Sequence, residues 1–165
     1  MTSAEQKCAD LNTLNWNFPE DGRKIKLVLK PKPAANGIPQ YWQLNEVGNL
    51  SPDEAFGNMD FKIKRDEGAL TLIVTLDTSE FGIDDLQFTD LSGRGQMDGI
   101  VALTPNFKHQ FRSRVKKGSD GKTLRIKIWD VEEVPDDFSF LWFCYSPSLD
   151  AHFVSGDPRT RIEPL

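Results

Sequence analysis

The chain has 165 residues, 38% of them hydrophobic and 27% charged, with a formal net charge of -5. A chain of this length suits one domain that buries roughly 70% of the surface its unfolded form exposes, and its wholly apolar runs fall far short of the roughly 20 residues that span a bilayer. Net acidity argues against a general nucleic-acid binder, which needs a basic surface to neutralise phosphates.

Residues 1–13 carry few large apolar side chains and read as a loose N-terminal leader ahead of a single domain over 14–165. The leader has one lysine and no apolar stretch of the kind a secretory signal needs, so a cytoplasmic location is expected. Cys8 and Cys144 read as reduced, structural cysteines, because Cys144 sits inside an apolar run. Asn15 to Phe18 suggests a first strand before the turn signal Pro19-Glu20-Asp21-Gly22.

In KIKLVLK, Ile25, Leu27 and Leu29 share one face while Lys24, Lys26 and Lys30 point away, the alternation of a half-buried strand that ends at Pro31-Lys32-Pro33. PQYWQLN reads as a strand in which Tyr41 and Trp42 cannot both point inward, and Ser51-Pro52-Asp53-Glu54 as one helical turn at most. MDFKIKR and ALTLIVTLD alternate on either side of Asp66-Glu67-Gly68 and read as a hairpin. Phe81 is expected tucked into a connection, Leu86 and Phe88 on one strand face, Ser92 to Gly99 in a glycine-rich loop, and Gly99 to Leu103 in a short strand.

The segment from His109 to Asp130 fixes its own register. If Gly118-Ser119-Asp120-Gly121 closes a four-residue turn, Val115 faces Leu124, Ser113 faces Ile126, Phe111 faces Ile128 and His109 faces Asp130. The opposite face then sets Arg114 against Arg125 and Arg112 against Lys127, with Trp129 at its edge. Like charges directly opposite across strands destabilise. Acidic neighbours or an anionic ligand must offset them, and Arg112, Arg114, Arg125, Lys127 and Trp129 form the candidate ligand-binding set.

After the acidic connector 131–137, Phe138, Phe140, Trp142 and Cys144 alternate with Leu141, Phe143 and Tyr145, so both sides of this strand are largely apolar. Such a strand is central, or its second side is covered by another layer or subunit. About nine or ten short strands with no amphipathic helical stretch point to an all-β fold, an antiparallel β-sandwich, with a closed barrel as the alternative.

No catalytic constellation emerges. SGRGQMDG departs from the dinucleotide fingerprint, which needs glycine where Asp98 stands and a helix behind it. The two histidines offer the Asp-His pairs His109/Asp130 and Asp150/His152 and a remote hydrolase reading, without metal-ligand spacing. No serine occupies a nucleophile elbow, and adjacent acids such as Asp84-Asp85 point to opposite strand faces. Neither a cofactor nor a metal is expected.

The tail SGDPRTRIEPL, with Asp157-Pro158 and Glu163-Pro164 around a short polar strand, resembles the ending of the DP-EP family of bacterial proteins. The resemblance implies a small bacterial β-sandwich of immunoglobulin-like type and carries over no site residues. Read physically, Pro158 and Pro164 suit a terminal edge strand, because proline cannot donate to a ladder. The expected function is a non-enzymatic binding or assembly module that self-associates or docks a protein partner through aromatic surface. The alternative is an anionic small molecule or sugar held by the basic set.

Overall fold

The computed structural model describes residues 12–18, 24–48, 56–63, 70–91, 97–103, 111–128, 136–156 and 159–164; of 12–18, 56–63, 70, 136–139 and 159–164 it describes the backbone. The leader up to residue 11, the turn at Ser51 to Glu54, most of the glycine-rich loop, and His109, Trp129 and Asp130 lie outside the described residues. The described residues form twelve strands: β1 Asn12–Phe18, β2 Lys24–Lys30, β3 Gln43–Glu46, β4 Phe56–Ile63, β5 Leu70–Leu76, β6 Gln87–Phe88, β7 Ile100–Ala102, β8 Phe111–Val115, β9 Thr123–Ile128, β10 Asp136–Ser146, β11 Ala151–Val154 and β12 Arg159–Pro164. Among the described residues there is no helix long and apolar enough to cross a membrane.

The strands pair in the order β11-β10-β12-β4-β3-β2-β5-β9-β8, with β1 on β4 and with β6 and β7 on β10. β8 and β11 stand at the two ends of this path, so its ladders form a sandwich rather than a closed barrel. One layer contributes Leu27, Leu29, Leu72, Val74, Leu124, Ile126, Ile128 and Phe111, the inward alternates of β2, β5, β9 and β8. The other contributes Phe140, Trp142 and Cys144 from β10, Phe88 from β6 and Ile100 from β7, and all of these join one core cluster. Phe111 and Phe140 meet across the layers with ring centroids 6.0 Å apart. Each large apolar side chain buried here contributes roughly 1.5–3 kcal/mol.

β10 is the seam. Its residues Asp136 to Ser139 pair with β12, Phe140 to Trp142 with β7, Cys144 and Tyr145 with β6, and Phe143 to Ser146 with β11. Gly99 lets β7 approach β9: its φ is +70°, and a Cβ there would lie 2.9 Å from Leu124 and Phe88 side-chain atoms.

Several expectations need correction. β4 and β5 do not form a hairpin. β5 runs parallel to β2, with Leu72 opposite Ile25, and antiparallel to β9, with Leu72 opposite Ile126. Alternation dictates which face is buried but not which strand is the neighbour, and β5 matches β2 and β9 equally well. β1 and β12 also run parallel to β4, so the sandwich is mostly rather than wholly antiparallel. The first strand starts at Asn12 and the long one at Asp136, each earlier than expected. Last, β12 is an interior strand between β10 and β4; the sequence places its one proline, Pro164, at the terminal position, so no donor is lost from the middle of its ladder.

The outward side of β10 is partly covered by the chain itself. Leu141, Phe143 and Tyr145 are half-buried; His152 stacks on Phe143 at 5.1 Å and lies 4.8 Å from Tyr145, centroid to centroid. Trp42 is buried while Tyr41 is half-buried, and Phe81 packs edge-on between Trp42 and Phe153.

Candidate functional site

The β8–β9 turn is built as its glycines and polar residues require. Gly118, Asp120 and Gly121 take positive φ, Lys116 N–H donates to Thr123 O at 2.8 Å, Lys122 N–H donates to Ser119 O at 3.0 Å, and the Ser119 hydroxyl donates to Lys116 O at 2.6 Å. The ladder then runs Phe111 to Ile128, Arg112 to Lys127, Ser113 to Ile126, Arg114 to Arg125 and Val115 to Leu124, the register read from the sequence. Arg112, Arg114, Arg125 and Lys127 are all exposed on the outer face. Trp129, the fifth candidate, lies outside the described residues.

Tertiary pairing widens that face. Lys127 lies opposite Thr71, which lies opposite Lys24; Arg125 lies opposite Ile73, which lies opposite Lys26. Two parallel rows result, Arg112-Lys127-Thr71-Lys24 and Arg114-Arg125-Ile73-Lys26, each about 14 Å long at the usual strand spacing and about 7 Å apart along the strands. Sequence reasoning missed Lys24 and Lys26 because it saw β2 as an isolated amphipathic strand. Their alternation in KIKLVLK was visible, but the parallel pairing with β5 was not.

Among the described residues the rows carry little internal neutralisation. Among the described residues, Lys24, Lys26, Arg114, Arg125 and Lys127 form no ion pair, and Glu80 pairs with Lys30 at 3.8 Å and with Lys32. The Lys32 hydrogen bond holds the Glu80 carboxyl below its ordinary range. Arg112 has a partner of its own.

The other chemical candidates have structural duties. Asp98 is 2% exposed, and its carboxylate accepts the Leu91 N–H at 2.6 Å and the Val115 N–H at 2.8 Å, while its carbonyl accepts the Ser113 hydroxyl at 2.5 Å. It therefore ties Leu91 to Ser113 and Val115 of β8. Burial pushes the free Cys144 thiol far up, away from a nucleophilic thiolate. Asp150 sits in a turn at φ 46° and accepts the Tyr145 hydroxyl at 2.7 Å, while His152 stacks on aromatic rings, so the expected Asp150/His152 pair is replaced by Tyr145-Asp150. Asp85 accepts the Ser146 hydroxyl and the Ser148 N–H at 2.8 and 2.7 Å, closing the turn after β10.

No family model matches the sequence, and no curated protein matches it significantly.

Proposed function

We propose that the chain is a non-enzymatic binding module that docks an acidic segment of a protein partner against the outer face of β2, β5, β9 and β8. The observation that carries this reading is the pair of cationic rows on one sheet face of a chain whose net charge is -5. Such an asymmetry steers an acidic partner to one face and repels it from the rest. An extended segment lying along β9 repeats its alternate side chains every ~6.8 Å, which matches the separation of Lys127 and Arg125. The half-buried Ile73 between Arg125 and Lys26 adds apolar contact.

His152 already covers part of the aromatic side of β10, the other candidate surface for docking and self-association, so the basic sheet is the better supported surface. Cytoplasmic residence belongs to the same proposal and is supported by the unpaired Cys144 thiol; the tail resemblance adds a bacterial origin.

An octaglutamate peptide serves as the probe in isothermal titration. Arg125→Glu combined with Lys127→Glu should weaken its binding at least about tenfold and flatten its salt dependence. Lys24→Glu combined with Lys26→Glu should act in the same direction. Equal affinity of the wild type and both variants would overturn the proposal.

A further inference from the structure

A cleft of about 740 Å³ opens at the tip of the β8–β9 hairpin, away from the cationic rows. One wall is the segment Gln87 to Leu91, held rigidly to the hairpin. The Phe88 N–H donates to Gly121 O at 2.8 Å, and the Lys122 ammonium donates to the carbonyls of Asp84, at 2.6 Å, and Leu86. Gly121 permits this approach: it has φ +74°, and a Cβ on it would lie 2.5 Å from the Gln87 Cβ. The other wall is the end of the β10–β11 ladder, where Tyr145 stands directly opposite His152.

That second wall is an aromatic platform with its polar handle already set. The Tyr145 and His152 rings lie 4.8 Å apart, and Phe143 backs His152 in a stacked arrangement at 5.1 Å. The Tyr145 hydroxyl is oriented by its hydrogen bond to Asp150, which retains acceptor capacity on its second oxygen. Lys116 and Lys117 line the cleft together with Asp90, Asp120 and Asp150. Two ammonium groups against three carboxylates favour neither a strongly anionic nor a strongly cationic ligand. They suit a molecule with many groups that both donate and accept hydrogen bonds, and the aromatic wall requires an apolar face on the same molecule.

We propose that this cleft binds a short neutral oligosaccharide, its C–H face laid on the His152 and Tyr145 rings and its hydroxyls shared among Asp150, Asp120 and the two lysines. A volume of several hundred cubic ångströms with an apolar wall and a few convergent polar groups is the usual form of a small-molecule site. The site is independent of the docking face, because none of Arg112, Arg114, Arg125 or Lys127 lines it.

The test is an array of neutral glucose-, galactose-, mannose- and xylose-based oligosaccharides probed with the full chain, then saturation-transfer NMR on any glycan bound. At least one glycan should bind, with transfer strongest to the C–H protons of one sugar face. His152→Ala, a change at an exposed residue, should weaken it about tenfold, as expected for loss of an aromatic contact. Tyr145→Phe, which keeps the ring, should weaken it about threefold, and Arg125→Glu with Lys127→Glu should leave it unchanged. Failure of every glycan to bind, or equal binding by His152→Ala, would overturn the proposal without touching the docking face.

Discussion

β9 and β10 send alternate side chains into the same core, Leu124, Ile126 and Ile128 from one and Phe140, Trp142 and Cys144 from the other. Their outward sides differ. Arg125 and Lys127 stand exposed, whereas Leu141, Phe143 and Tyr145 are half-buried. β9 has its register held by a local turn and by alternation, so its outer positions can carry charge without endangering the fold. β10 joins β12, β7, β6 and β11 in succession, and a strand that serves as the seam between layers needs apolar side chains on both sides. On the docking proposal, the acidic segment meets the strand whose outer side the fold does not need.

The largest expected effect tests the inner sides, where the two strands should behave alike. Trp142→Ala should destabilise by about 3–5 kcal/mol and Ile126→Ala by about 2–5 kcal/mol, since both side chains are essentially fully buried in one cluster. Urea denaturation followed by tryptophan fluorescence measures the second, and circular dichroism the first. A cost under about 1 kcal/mol for Trp142→Ala would show that β10 is not the seam described.

A smaller effect separates the strands by pH. The turn that ends β10 depends on Asp85, whose carboxyl is held below its ordinary range, first by the Ser148 N–H and then by the Ser146 hydroxyl. A folded-state value below the unfolded one, near 3.9 for aspartate, contributes stability that is present above about pH 4 and lost as pH falls through the folded value. Asp85→Asn should therefore flatten the acid limb of the stability curve. The Tyr145 hydroxyl is pushed up by its donation to Asp150. Its contribution is present below about pH 10 and lost as pH rises, so Tyr145→Phe should flatten the alkaline limb. Chemical denaturation at a series of pH values checks both; limbs unchanged in both variants would show that the turn is held by packing alone.

The same contrast explains what could be read in advance. The hairpin register follows from one turn and the alternation of eleven residues, all within the reach of local sequence, and it places four of the five candidate cations and aromatics on the described outer face. The widening of that face by Lys24 and Lys26 depends on β2 running parallel to β5, a pairing between strands far apart in the chain that alternation leaves undetermined. The proline-flanked tail misled for a related reason: prolines show where β12 can begin and end but not whether two neighbours flank it. The cleft was invisible because its walls come from three separated segments, and Gly121, read as part of a turn, also makes room for Gln87.

The smallest expected effect is the most discriminating. Arg114 faces Arg125 directly, and like charges in that position destabilise a sheet. Arg114→Glu converts the pair to an attractive one and should raise stability by about 0.5 kcal/mol at low salt, the gain shrinking as salt screens both states. The same substitution should weaken octaglutamate binding. Stability and binding moving in opposite directions is what a charge retained for recognition predicts, since a charge retained for the fold would lose both together. If Arg114→Glu instead lowers stability, the arginines are being neutralised within the chain, and the outer face of β9 would then serve the fold as the outer side of β10 does.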